Sequence, residues 1–460
     1  MHSHWTFQRM IEILGRKSAK NGIWMYFLQF FDAVVPLFTL PYITRILGKE
    51  GYGVFSVALN MILYLQVVVE YGFGMSATRK TTLICAGSGT KPADAKEPGH
   101  CCDKERKPKS VFEPGDGKLL NRLFTSVWIS KGLLFAGCSM FLGIYCWICR
   151  AEAERCVCMA VLMPCLLGSC FQVNWLFQGL QDMKFISLTN IAARTISVIC
   201  IFSFVHRKSD LVLYCVLYAG SPLLSGILGF LVSAVKYRIR FVKVSLHDVV
   251  QELRDGFYVF STQLSAKVFA AVGITFLGMF APYSEVGMFS AIQKITNIMI
   301  LAWTPITQVL YPVSSGRVSE DFVSGKEFVF RIRRYILPVF AALALMVALI
   351  ARPLIGVMFG AEYAEHYYWI YPLLLWLIIA INNNFTGIQI LLGGGYDREY
   401  SKCFQIGVVC TLLLTFILTF LFHGAGASAA PALSELILGI LLAGQIRKIE
   451  REQCVEGKVI

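Results

Sequence analysis

Charge is scarce in this chain of 460 residues. Asp, Glu, Lys and Arg together make up 15% of it, while 56% is hydrophobic. An ordinary soluble domain carries about 25% charged residues, so that class is excluded. Acids are scarcer than bases, 29 against 42, for a formal net charge of +13. Such a surplus can mark a nucleic-acid binder, but no aromatic-basic module stands outside the apolar runs, and no nucleic acid is expected. Histidine is rarer still, seven in all, and none lies mid-span. H-E-x-x-H, P-loop and G-x-S-x-G signatures are missing, so no catalytic residues, cofactor or metal are expected. His100-Cys101-Cys102 lacks the second ligand pair that zinc would need. No A-x-A site precedes the first apolar run, which therefore reads as an uncleaved signal-anchor.

What is there is a succession of apolar runs, each near the roughly 20 residues that span a bilayer. Twelve are read, at 22–44, 53–74, 121–148, 157–178, 185–205, 211–235, 257–280, 286–311, 335–358, 367–392, 403–422 and 425–445. Most of the fifteen cysteines lie within them and read as small apolar residues. Cys146-Trp-Ile-Cys149 has redox-pair spacing without a thioredoxin-like setting. Prolines 36, 41, 164, 222, 305, 338, 372 and 431 interrupt spans, as kinked transport helices do.

Basic residues fix the orientation. With the N-terminus inside, 31 Lys and Arg fall on the inner side, seven on the outer side and four within spans. The positive-inside bias then puts both termini in the cytoplasm of a multi-pass cell-membrane protein. The expected organisation is a cytoplasmic segment 1–20, a six-helix bundle 21–235 and an amphipathic linker 236–256. A second six-helix bundle 257–445 and a cytoplasmic tail 446–460 follow. Residues 81–118, polar and of mixed charge, read as a flexible cytoplasmic loop. Six plus six spans with both termini inside makes the halves parallel repeats, pseudo-symmetric about the membrane normal.

Four cations fall inside spans: Lys131, Arg194, Lys267 and Lys294. Each costs about 2.5–3.5 kcal/mol at mid-membrane on an insertion scale. Snorkelling explains Lys131 if its span starts late, and explains the other three poorly. Ser187, Asn190, Arg194 and Ser197 share one helix face; so do Gln263 and Lys267, and so do Ser290, Lys294 and Asn297. Such stripes line cavities. The expected cationic cavity therefore comprises Arg194, Lys267, Lys294, Lys131, Asn190, Gln263 and Asn297. Intramembrane acids Asp32, Glu70 and Glu435 are either charge partners for these cations or carriers of a coupling H+ or Na+.

One stretch says more. Pro41-Tyr-Ile-Thr-Arg-Ile-Leu-Gly48, Gly51-Tyr-Gly53 and Glu70-Tyr-Gly-Phe-Gly-Met-Ser-Ala-Thr-Arg79 resemble the signature of Wzx-type flippases. These form the polysaccharide transport branch of the multidrug/oligosaccharidyl-lipid/polysaccharide exporter superfamily. Asn174-Trp-Leu-Phe-Gln-Gly179 is similar to that family's fourth-span ending, and the loop 81–118 is longer than usual. The resemblance implies an all-α integral membrane fold, MATE-like, with about 12 transmembrane helices. It implies a transporter, not an enzyme, that flips undecaprenyl-pyrophosphate-linked oligosaccharide repeat units to the outer leaflet for surface polysaccharide such as O-antigen. Membrane lipid, a polysaccharide polymerase and a chain-length regulator would be its partners. The motif residues Arg45, Gly48, Gly53 and Arg79 are expected to gate or shape the first hairpin. A multidrug exporter would want an acidic cavity, and a polymerase would want large outer loops. A lipid II flippase shares the charges but not the first-hairpin motif.

Overall fold

The computed structural model describes residues 15–85, 114–150 and 152–455. Most of the loop expected at 81–118 and of the segment 1–20 lies outside the described residues, as does the end of the tail 446–460. Among the described residues every regular element is helical. In chain order they are α1 Gly15–Glu70, α2 Phe73–Cys85, α3 Pro114–Ile148, α4 Ala153–Leu162, α5 Pro164–Phe171, α6 Asn174–Gly179 and α7 Lys184–Phe204. Then follow a short 3-10 helix Lys208–Asp210, α8 Leu211–Lys236, α9 Leu246–Phe280, α10 Tyr283–Glu320, α11 Phe322–Leu349, α12 Ala351–Phe359, a 3-10 helix Ala361–Trp369 and α13 Ile370–Asn383. A π-helix, Asn384–Leu392, leads to α14, Asp397–Val455.

Nine helical runs among the described residues are long and apolar enough to cross a membrane, or ten with Leu246–Phe280 counted as one. Two are of double length: Asn21–Cys85 with 65 residues and Asp397–Glu452 with 56. Each is broken by a residue of left-handed φ, Gly48 at 69° and His423 at 50°. Divided there, the ten runs become twelve segments of span length, as the apolar pattern anticipates. The chain is an all-α, multi-pass membrane protein.

Pro41, Tyr42 and Arg45 stay helical and only Gly48 breaks the run. Glycine adopts that φ without a Cβ penalty, so one residue suffices to break the run. At the second break His423, which does carry a Cβ, is held by Glu285. That carboxylate accepts from the Gly424 N–H at 3.0 Å and lies 3.8 Å from His423 Nδ1.

The chain divides into two compact units. Unit one holds residues up to Asp32, Met61–Val205 and Val212–Lys267; unit two holds Ala33–Asn60, His206–Leu211 and Val268–Ile460. In unit one, two sequence motifs meet. Phe73 and Ala77 of α2 are fully buried in one apolar cluster with Trp175, Leu176 and Phe177 of α6. Thr78 Oγ1 donates to the Trp175 carbonyl at 3.1 Å. The Tyr71–Arg79 and Asn174–Gly179 patterns are thus two sides of one packed contact. Residues 237–245 are not helical, and the linker's helical part is the start of α9. Its acids Glu252 and Asp255 bind Lys80 at 2.8 and 2.7 Å, and Asp248 binds Arg122 at 2.7 Å. Glu252 is buried through its pair with Lys80, beside buried Val249, while Asp255, Leu246 and Val250 stay exposed.

In unit two, Trp303 of α10 packs on Phe340 of α11 and on Phe385 of the π-helix, with ring centroids 5.8 and 5.1 Å apart. π-Helical segments are rare and concentrate at functional sites.

Candidate substrate and coupling residues

In unit one, α7 carries the polar stripe. Three of its four polar side chains are spent on neighbouring helices. Ser187 Oγ donates to the Trp24 carbonyl at 2.7 Å, Ser197 Oγ donates to the Leu217 carbonyl at 2.8 Å, and Asn190 Oδ1 accepts from Ser225 Oγ at 3.0 Å. The amide of Asn190 also donates to the Ile186 carbonyl at 2.7 Å. The fourth is different. Arg194 Nη1 reaches Asp32 Oδ1 at 2.6 Å, and the two side chains remain 36% and 44% exposed. Asp32 is the hydrogen-bond partner of Arg194 among the described residues, so the other guanidinium N–H groups stay available.

Lys131 has the opposite character. It is 4% exposed, and its ammonium donates to the Ser169 and Gln172 carbonyls at 2.9 Å each. Those carbonyls end α5, whose helix stops at Phe171. The last carbonyls of a helix lack intrahelical partners and carry the negative end of its dipole. Lys131 therefore acts as a C-terminal cap reached from a neighbouring span. Glu70, which accepts from Gln66 Nε2 at 3.1 Å, is the acid whose charge acts on both Lys131 and Lys267. Lys267 and Gln263 are half-buried on one face of α9. Among the described residues the Lys267 ammonium makes no hydrogen bond or close ion pair.

In unit two, Lys294 is exposed on α10 and Asn297 is half-buried. Arg45 donates to the Val357 carbonyl in the last turn of α12, so its guanidinium also caps a helix end. Gly53 packs against α10. Arg79 is exposed on α2, in unit one. Among the expected residues three kinds can be told apart: helix-end caps, helix-to-helix bonds, and cations with spare donors. Arg194 and Lys267 are of the last kind, both in unit one.

A search for charged residues overlooks Asn382, Asn383 and Asn384, where α13 passes into the π-helix. Each bonds a different helix. Asn382 Oδ1 accepts from Arg333 of α11 at 3.0 Å, and Asn384 Oδ1 accepts from Thr307 of α10 at 2.8 Å. Asn383 Nδ2 donates to Glu435 of α14 at 2.7 Å. The triplet of amides within an apolar run is the signal that could have found them.

Comparison with known proteins decides the family. The family described as polysaccharide biosynthesis protein matches residues 18–82 and 109–316, more than half of the chain. The chain belongs to this family. It is 28% identical over 428 residues to a protein of Escherichia coli (strain K12) named "Putative O-antigen transporter", covering 93% of this chain and 96% of that one. A protein of Shigella dysenteriae with the same name is 21% identical over 429 residues, covering 93% of this chain and all of that one. Among solved structures, lipid II flippase MurJ in an inward closed conformation aligns with a TM-score of 0.68 at 11% identity, covering 94% of this chain and 88% of that one. An inward-facing multidrug resistance MATE family transporter of the MOP superfamily aligns at 0.65 and 13% identity, covering 92% and 99%. At such identity these two establish the fold, which is MATE-like.

Proposed function

We propose that this family member is a transporter, not an enzyme, that flips an undecaprenyl-pyrophosphate-linked oligosaccharide from the cytoplasmic to the outer leaflet of the cell membrane. Both termini would lie in the cytoplasm. The relatives named for O-antigen transport support the substrate class. The observation that carries the reading within this chain is Arg194: an intramembrane guanidinium, half exposed, anchored through one nitrogen and with N–H donors to spare. A guanidinium can grip phosphate oxygens through two parallel bonds. Lys267, whose ammonium makes no hydrogen bond or close ion pair among the described residues, supplies a second positive charge in the same unit, and Lys294 carries another in unit two. Lys131 and Asn190 are committed to structural bonds and are not assigned to the substrate.

The electric field favours the direction. Each charge moved through 100 mV is worth about 2.3 kcal/mol, so a pyrophosphate dianion leaving a negative interior gains roughly twice that. A flippase-deficient strain given this chain should regain surface polysaccharide, and Arg194→Ala or Lys267→Ala should abolish the gain at unchanged protein level. Normal export by both neutral variants would sink the proposal.

A further inference from the structure

Glu435 stands apart from the other two intramembrane acids. Asp32 has Arg194, and Glu70 lies under the influence of two lysines. Glu435 is 9% exposed on α14, and among the described residues it has no cationic partner. Its hydrogen-bonding neighbour is Asn383, itself 5% exposed, whose Nδ2 donates at 2.7 Å both to the Glu435 backbone carbonyl and to Oε2. The bond to a backbone carbonyl fixes which end of the amide is nitrogen, because an amide oxygen cannot sit there. Asn383 Oδ1 is buried and has no hydrogen-bond partner among the described residues. Tyr400, on the same helix as Glu435, is a titratable side chain near enough to feel the charge of the carboxylate. Arg333 is engaged by Asn382.

A buried carboxylate without a cation is costly, and so is a buried carbonyl oxygen without a donor. One proton removes both costs. On binding H+, the carboxylate becomes an acid whose O–H can donate to Asn383 Oδ1 while Nδ2 continues to donate to Oε2. The result is a two-bond acid–amide ring with no net charge. A sodium ion would instead need several oxygen ligands. Here the group that meets the carboxylate is an N–H donor, which suits an anion or an acid and not a metal ion.

We propose that Glu435 and Asn383 form a proton-binding site inside unit two, and that this site takes the coupling ion of the transporter. The part about coupling rests on the proposed function; the part about the proton does not. The site adjoins an element able to report it. Asn384 starts the π-helix, whose Gln389, fully buried, donates to Thr307 Oγ1 at 2.8 Å and accepts from Ser314 Oγ at 2.5 Å. Release of the proton would leave Asn383 Oδ1 without its donor at the first turn of that segment.

Two measurements on the full chain in lipid vesicles test this. Infrared titration at neutral pH should show a protonated carboxylic C=O band that shifts on deuteration and is lost in Glu435→Gln. Glu365→Gln, an exposed control, should keep the band, and Asn383→Leu should shift it without unfolding the protein. A band unchanged in Glu435→Gln, or one abolished by sodium at constant pH, overturns the proton site. The second measurement follows undecaprenyl-pyrophosphate bearing a short fluorescent oligosaccharide. Stimulation of its flipping by an imposed pH gradient should be lost in Glu435→Gln. Stimulation that persists in that variant overturns the coupling role. A wild-type chain that flips nothing refutes the proposed function and with it the coupling role, while the infrared band still decides the proton site.

Discussion

Gly53 and Gly287 face each other inside unit two at a distance that excludes any side chain on either. A Cβ on Gly53 would lie 1.8 Å from the Tyr283 carbonyl oxygen, and one on Gly287 would lie 1.9 Å from the Lys49 carbonyl oxygen. Both obstacles are backbone, which cannot swing aside as a side-chain tip can. Gly53→Ala and Gly287→Ala should each force α1 and α10 apart, at the roughly 1–3 kcal/mol typical of overpacking or more. Thermal unfolding of the purified protein would show it as a lowered midpoint in both variants. An unchanged midpoint would mean that the two helices are not held in this contact in the membrane.

Arg194 and Asp32 form a pair whose structural and substrate roles can be separated. Arg194→Lys keeps the charge but loses the planar fork, so flipping should fall about tenfold to a hundredfold, the worth of one or two charge-assisted bonds. The double change Arg194→Gln with Asp32→Asn removes both charges and keeps a neutral hydrogen bond possible. Its protein level should match the wild type while export stays absent. Restored surface polysaccharide in the double variant would show that the pair serves only to hold α7 against α1.

Lys131 should behave differently, although the sequence shows it as one more intramembrane cation. Lys131→Met strands the Ser169 and Gln172 carbonyls without donors, a loss of about 1–3 kcal/mol per buried group. The unfolding midpoint should drop by several degrees. Export should fall only as protein level falls, with the flipping rate per molecule unchanged. A lower rate at normal stability would return Lys131 to the substrate.

What was legible before the fold was known follows from how far each signal acts. Span number, the paired breaks and the helical class follow from apolar run length and from Gly48, all local properties. The role of Lys131 was not legible, because the end of α5 at Phe171 carries no glycine or proline to announce it. The carbonyls Lys131 caps lie 38 and 41 residues away in sequence. The stripe on α7 was visible, but whether each member bonds a helix or stays available depends on Trp24, Leu217 and Ser225, which no spacing on α7 reveals. The Asn382–Asn384 triplet went unread because amides were read only where they share a helix face with an intramembrane cation, and this span has none. The partners of its side chains lie on three other helices, which no spacing within the run reveals.

Acid should loosen one corner of unit one through Asp182, which lies in the short connection between α6 and α7. Burial pushes its carboxyl up. Hydrogen bonds from Lys236 and from the Tyr237 hydroxyl at 2.7 Å outweigh that, together with the charges of Lys236 and Lys184, and hold it below the usual carboxylate range. A group whose folded pKa is depressed stabilises the protein above its unfolded value, near 3.9. That contribution is lost as pH falls through the lower folded value. Asp182→Asn should therefore cost stability at neutral pH and cost little in strong acid, so the wild-type and variant unfolding curves converge on acidification. Curves that stay parallel across that range would show that Lys236 and Tyr237 do not hold the carboxylate.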